Sequence, residues 1–188
     1  MEALVPAFIA ALLCQATDRA AWLSAILADR YRRPLMVALV ALVVNIVGNG
    51  AAALGALLIA PTLAPVPLSL LLALALGVAG VDGLRPLRLP DRFDGWRLGP
   101  LLTPLIGLAM LVSGDRTQFL TFAFAARTGT PWQAAAGAIA GAFVVHVASA
   151  YAGERAWRRL PLRSLRIVAA AIALIAAGVV ALAAFDLI

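Results

Sequence analysis

The sequence predicts an all-α integral membrane protein: six transmembrane helices arranged as two inverted three-helix repeats. Three observations predict it. The 188 residues are 64% hydrophobic with a mean hydropathy of +1.00, whereas a soluble domain is about 45–50% apolar. Six apolar runs are long enough to cross a bilayer. One stretch of the first half recurs in the second at a fixed offset, the mark of an internal repeat.

The runs are roughly Ala3–Ala28, Pro34–Ala60, Pro67–Gly83, Leu98–Ala126, Pro131–Ala152 and Leu165–Ile188. Pro34, Pro67 and Pro131 suit helix starts, because a first-turn residue has no intrahelical partner for its N–H. The N-terminal segment carries Glu2 and no early basic residue, unlike a signal peptide, so the first helix is expected to be retained. The connections sort by charge. Arg30, Arg32 and Arg33 follow the first run; Arg85, Arg88, Arg92 and Arg97 follow the third. Five arginines from Arg155 to Arg166 follow the fifth. The second connection has no charge and the fourth only Arg127. The positive-inside rule places the three basic loops in the cytoplasm and both termini outside it. A multi-pass protein of the bacterial inner (plasma) membrane is the expected setting.

Asp18 over Asp115 defines the repeat, an offset of 97. "DRAAWLSAILADRYRRP" (Asp18–Pro34) lies over "DRTQFLTFAFAARTGTP" (Asp115–Pro131), with six of 17 positions identical. Trp22 over Phe119 and Ser24 over Thr121 are similar pairs. The division is residues 1–96, a first three-helix repeat with its cytoplasmic linker, and 97–188, a second one. An odd number of spans per half makes the second repeat inverted, a plan common among secondary transporters, with the site near the midplane between halves. Asp18 and Asp115 are equivalents near the centres of their runs. A carboxylate there costs about 2.5–3.5 kcal/mol on insertion scales, so it is seldom accidental. The same offset pairs Asn49 with His146. Asn45 shares the face of Asn49, and Ser149 that of His146. These faces are expected to line the cavity beside the aspartates.

Other classes are excluded or weakened. All 15 basic residues are Arg, which reads as base-composition bias, and no basic, aromatic-interleaved run forms a nucleic-acid face. The lone Cys14 excludes an internal disulfide. One histidine without a nearby acid supports no catalytic triad, and phosphate-loop, nucleotide and zinc-protease motifs are absent, so no enzyme is expected. Gly137 and Gly141 have the spacing of a close helix contact.

The two motif stretches, "VSGDRTQ" with "AARTGTP" and "QATDRA" with "ADRYRRP", resemble the Gdt-type family of divalent-cation/proton exchangers. That family has Golgi, chloroplast and bacterial members. Its signature is Glu-x-Gly-Asp-Lys-Thr/Ser, once in each three-helix half. The resemblance implies Mn²⁺ or Ca²⁺ as transported substrates, protons and the lipid bilayer as the other partners, and no tightly bound cofactor. A homo-oligomer is compatible with it. It implies a cation site at Asp18 and Asp115, with Arg19 and Arg116 at the motif's Lys positions and Thr117 keeping its hydroxyl. Gln15 and Val112 stand where the motif has glutamate, Thr17 replaces a glycine, and Ala20 lacks the second hydroxyl.

Two Asp against two Arg give the motif pair a net charge of zero. Hard cations take about six to eight oxygen ligands, several of them charged. Gln15, Thr17, Thr117, Gln118, Asn45 and Asn49 are candidate neutral donors, and His146 offers a nitrogen that Mn²⁺ tolerates. A carboxyl away from water favours its protonated form, and a nearby cation favours the ionised one. Competition between the two at Asp18 and Asp115 makes an antiporter. The alternative is a non-transporting structural or regulatory membrane protein of the same fold, favoured by the missing glutamates.

Overall fold

In the computed structural model, residues 2–187 are described, except Arg88 and Asp186. Arg88 of the basic third loop and Ile188 at the end of the last run therefore lie outside the described residues. The chain is all-α: α1 Leu4–Ala16, α2 Arg19–Tyr31, α3 Pro34–Ile59, α4 Pro65–Leu84, α5 Gly99–Val112, α6 Arg116–Thr128, α7 Pro131–Trp157 and α8 Leu162–Ala184, with a short 3-10 turn at Ala60–Thr62. No strand occurs among the described residues.

Four helices, α3, α4, α7 and α8, are long and apolar enough to cross a membrane. This multi-pass character agrees with the sequence; the six continuous runs do not survive intact. The first is broken at Thr17–Asp18 into α1 and α2, bent by 62°. The fourth is broken at Ser113–Asp115 into α5 and α6. The physical reason is local. Asp18 and Asp115 are extended and accept from backbone N–H groups of the following turn, Ala20 N at 3.4 Å and Gln118 N at 2.8 Å. An N-cap of this kind starts a new helix. Gly114, at φ +73°, supplies the left-handed step ahead of Asp115.

The elements recur at the offset of 97. α2 and α6, α3 and α7, and α4 and α8 start at matching positions. The helix ends match too. Arg32 after α2 and Gly129 after α6 both adopt the left-handed cap conformation, each two residues before the proline that opens the next helix. α4 begins at Pro65, two residues earlier than the sequence suggests.

Packing joins the halves. α4 and α8 run antiparallel, with Gly77, Gly80 and Gly83 against Ala177, Leu174 and Ala170. α1 runs parallel to α7, where Gly137 and Gly141 face the backbone of Leu4 and Phe8. Any Cβ there would meet a carbonyl oxygen, so the glycine spacing marks the close contact expected of it. Trp157 is buried with Trp22, Val145 and Leu162. Large exposed aliphatics run along the outer faces of α3, α4 and α8, among them Val47, Leu74 and Ile175. Such faces suit a lipid environment.

The basic loops meet at one end. Arg30 donates to the carbonyls of Phe93 and Trp96, and Arg92 pairs with Glu154. α7 is kinked at Gly153, φ +70°, and the Asp29 carboxylate accepts from Glu154 N at 2.7 Å to cap the turn beyond. The opposite end is an alanine-rich cluster of α1, α3, α6 and α7, including Ala7, Ala56, Ala126 and Ala134.

Candidate functional site

The two helix breaks converge on one cleft of about 980 Å³, lined by Asp18, Arg19, Asp82, Arg85, Asp115 and Arg116 together with apolar residues of α4, α5 and α6. A second cavity of about 390 Å³ is lined by Asp18, Arg19, Asp82, Arg85, Pro86, Leu87 and Arg166. Both include Arg85, just beyond α4, so the polar space reaches the end where the basic loops lie. The motif pair, Asp18 and Asp115, thus lines one shared cavity.

Around the first break, Arg116 is the central cation. It donates to the Cys14 carbonyl at 2.7 Å and to Asp82 Oδ2 at 3.1 Å, and lies 3.8 Å from Asp18 Oδ1. Arg166, one turn into α8, donates to the carbonyls of Asp82, Gly83 and Thr17. It also reaches Asp82 Oδ2 at 3.4 Å. Carbonyls freed at the end of α1 are thus satisfied by arginines of the other half, as helix ends away from water require. Around the second break, Gln15 Nε2 donates to Asp115 Oδ2 at 2.9 Å and to Thr117 Oγ1 at 3.2 Å. Gln15 stands at a motif glutamate position and now serves as a donor to the carboxylate. Val112, at the other such position, is buried hydrocarbon at 1% exposure. Gln118 accepts from Gly114 N, and its amide packs against Gly48, bracing the break on α3. Thr17 is buried, its hydroxyl turned back to the Cys14 carbonyl.

Asn45, Asn49 and His146 lie elsewhere than the sequence reading put them. They are absent from the linings of both polar cavities. Asn49 Oδ1 accepts from Thr121 Oγ1 at 2.7 Å, and His146 Nδ1 is 2.8 Å from Ser24 Oγ. Asn45 donates to the Ala41 carbonyl and touches Asn49. Ser24 and Thr121 are repeat equivalents, as are His146 and Asn49, so one polar clasp occurs twice. Each ties a half-helix to the long helix of the other repeat, α2 to α7 and α6 to α3. The pairing found in the sequence is real in space, but it joins helices and does not face the cleft.

Sequence reasoning missed Asp82 and Arg166. Asp82 is the one acid in its apolar run, a signal that was available. Counting them with Arg85, three carboxylates meet four guanidiniums along the two cavities. Among the described residues, no group of three or more His, Cys, Asp or Glu is placed to hold a metal ion.

Fold and site together give a multi-pass membrane protein in which two broken helices meet at a charged cleft. One family model matches part of the chain. Residues 100–187, comprising α5 to α8, match the family model described as divalent cation/proton antiporter GDT1. The match covers a little under half of the chain, including the second motif, and agrees with the resemblance drawn from the sequence. No curated protein and no solved structure matches the chain.

Proposed function

We propose that the chain exchanges a divalent cation, Mn²⁺ or Ca²⁺, for protons through the cleft between its two helix breaks. The observation that carries this reading is that Asp18 and Asp115, repeat equivalents, each cap a half-helix and line the same cavity. In this reading residues 1–96 and 97–188 are inverted repeats of three spans each, the first span of each repeat being broken. The antiparallel run of α4 and α8 supports that relation. The basic end faces the cytoplasm of a bacterial inner membrane and the termini face outward.

Asp18 and Asp115 hold either protons or the cation. Protonation removes the charge that attracts the metal, and the metal favours the ionised carboxylates. Gln15, Thr17, Thr117 and Gln118 surround the two breaks, Gln15 aligning Asp115. Asn45, Asn49 and His146 act indirectly, through the clasps that hold each half-helix. Arg19 and Arg116 set the local charge. In proteoliposomes with an imposed pH gradient, the Asp18→Asn/Asp115→Asn variant loses Mn²⁺ and Ca²⁺ exchange. Exchange equal to the parent's would refute the reading.

The buried Val112 and the excess of guanidinium over carboxylate favour a second reading, a non-transporting structural or regulatory member of the fold. Restoring the motif separates the two. If Gln15→Glu/Val112→Glu creates cation exchange that the parent lacks, the parent is the non-transporting form.

A further inference from the structure

Asp82 belongs to neither motif, yet it receives both buried arginines of the cleft. One oxygen, Oδ2, accepts from Arg116 Nη1 and from Arg166 Nη2. The two arginines differ in how they are held. Arg166 is anchored by three backbone carbonyls. Arg116 is more loosely held: one carbonyl, one oxygen of Asp82, and Asp18 at a longer 3.8 Å. Its side chain is 8% exposed, and its Nε makes no hydrogen bond among the described residues. A bidentate fork would lock an arginine to its carboxylate; Arg116 has none.

We propose that Asp82 is a third carboxylate of the cation site, and that Arg116 is its built-in competitor. The inference rests on the exchange reading above. The guanidinium lies between Asp18 and Asp82 while no cation is bound, and an entering divalent ion displaces it. Arg166 stays in place and orients Asp82 from the backbone side. With Arg116 displaced, Asp18 and Asp82, the two carboxylates it bridges, are free to draw in around an ion beside Asp115 of the same cleft, which meets the charge demand of a hard cation better than the motif pair alone. Asp82 thereby supplies from α4 part of the charge missing at Gln15 and Val112. A neutral side chain at position 116 removes the competitor, so it strengthens cation binding where a merely structural arginine would weaken it.

The test is calorimetric titration of Mn²⁺ and of Ca²⁺ into the full-length protein in nanodiscs. Arg116→Gln is expected to bind at least one of them about tenfold more tightly than the parent. Arg116→Gln/Asp82→Asn is expected to lose that gain. An Arg116→Gln affinity no higher than the parent's, or a double variant as tight as the single, overturns the proposal. If the Asp82-dependent gain appears while the parent moves no cation in proteoliposomes, the exchange reading fails and the third carboxylate stands. Should Arg116→Gln not give monodisperse protein, Asp82 variants of the parent decide. Asp82→Asn is expected to weaken Mn²⁺ binding about tenfold, with Asp82→Glu recovering most of it. Equal affinities in parent, Asn and Glu forms overturn the proposal.

Discussion

α1 and α5 are equivalent half-helices, yet they sit differently against their partners. α1 lies backbone to backbone on α7, because Gly137 and Gly141 leave room for the Leu4 and Phe8 carbonyls. At the matching positions of α3 stand Val40 and Val44, which meet α5 through side chains in a cluster with Leu108 and Val112. Two glycines against two valines make one contact close and the other more distant. The charged cleft lies beside the end of α5, lined by Met110, Leu111 and Ser113, whereas α1 borders a mostly apolar cavity of about 330 Å³ shared with α4, α6 and α8. The charges follow the same asymmetry. Arg116 is nearly buried, whereas Arg19 is exposed and has no ion pair among the described residues. A repeat fixes which residues correspond; side-chain volume sets how closely each pair of helices meets.

The contrast breaks most severely at the close contact. Gly137→Val places a side chain on the Leu4 carbonyl and forces α1 away, at a cost of about 3 kcal/mol or more. Thermal unfolding followed by tryptophan fluorescence is expected to show a large fall in midpoint, or no folded protein at all. An unchanged midpoint would remove the glycines from the account. The converse change sharpens the contrast. Val40→Ala/Val44→Ala removes the side chains on which Leu108 and Val112 of α5 pack and is expected to lower the same midpoint, at a cost of about 2 kcal/mol.

Smaller effects test the twin clasps. Ser24→Ala removes the partner of His146, and Thr121→Ala that of Asn49. Each is expected to cost about 0.6–1.7 kcal/mol, the scale of interhelical hydrogen bonds in membranes. Similar losses in both would agree with a two-fold arrangement; a loss confined to one would show that the clasps are not equivalent. Smallest of all, Arg92→Ala breaks a surface pair with Glu154 and is expected to cost under about 1 kcal/mol.

Much of this arrangement was legible in the residues. Apolar runs announce helices, and the Asp18/Asp115 offset carries the equivalence of α2 with α6 through to their caps. The breaks were legible as well, since Ser113-Gly114-Asp115 is a stop followed by an N-cap; hydropathy runs straight over them because the flanking segments are equally apolar. Asp82 and Arg166 escaped the repeat. The residue 97 beyond Asp82 is Val179, and the one 97 before Arg166 is Ser69. A symmetric reading cannot find a feature that only one half possesses. Asn45, Asn49 and His146 were found for the right reason and assigned the wrong direction, because periodicity shows that a polar face is buried and not what it meets.

The central claim is that Asp18 and Asp115 form one site where a cation and protons exclude each other. Proton release on adding Mn²⁺ or Ca²⁺ to the protein in weakly buffered nanodiscs tests it most directly. The parent is expected to release protons in step with binding of at least one of these ions, with apparent affinity falling as the medium is made more acidic. Asp18→Asn/Asp115→Asn is expected to release none. No release from the parent with either ion, or equal release from both proteins, would contradict the claim.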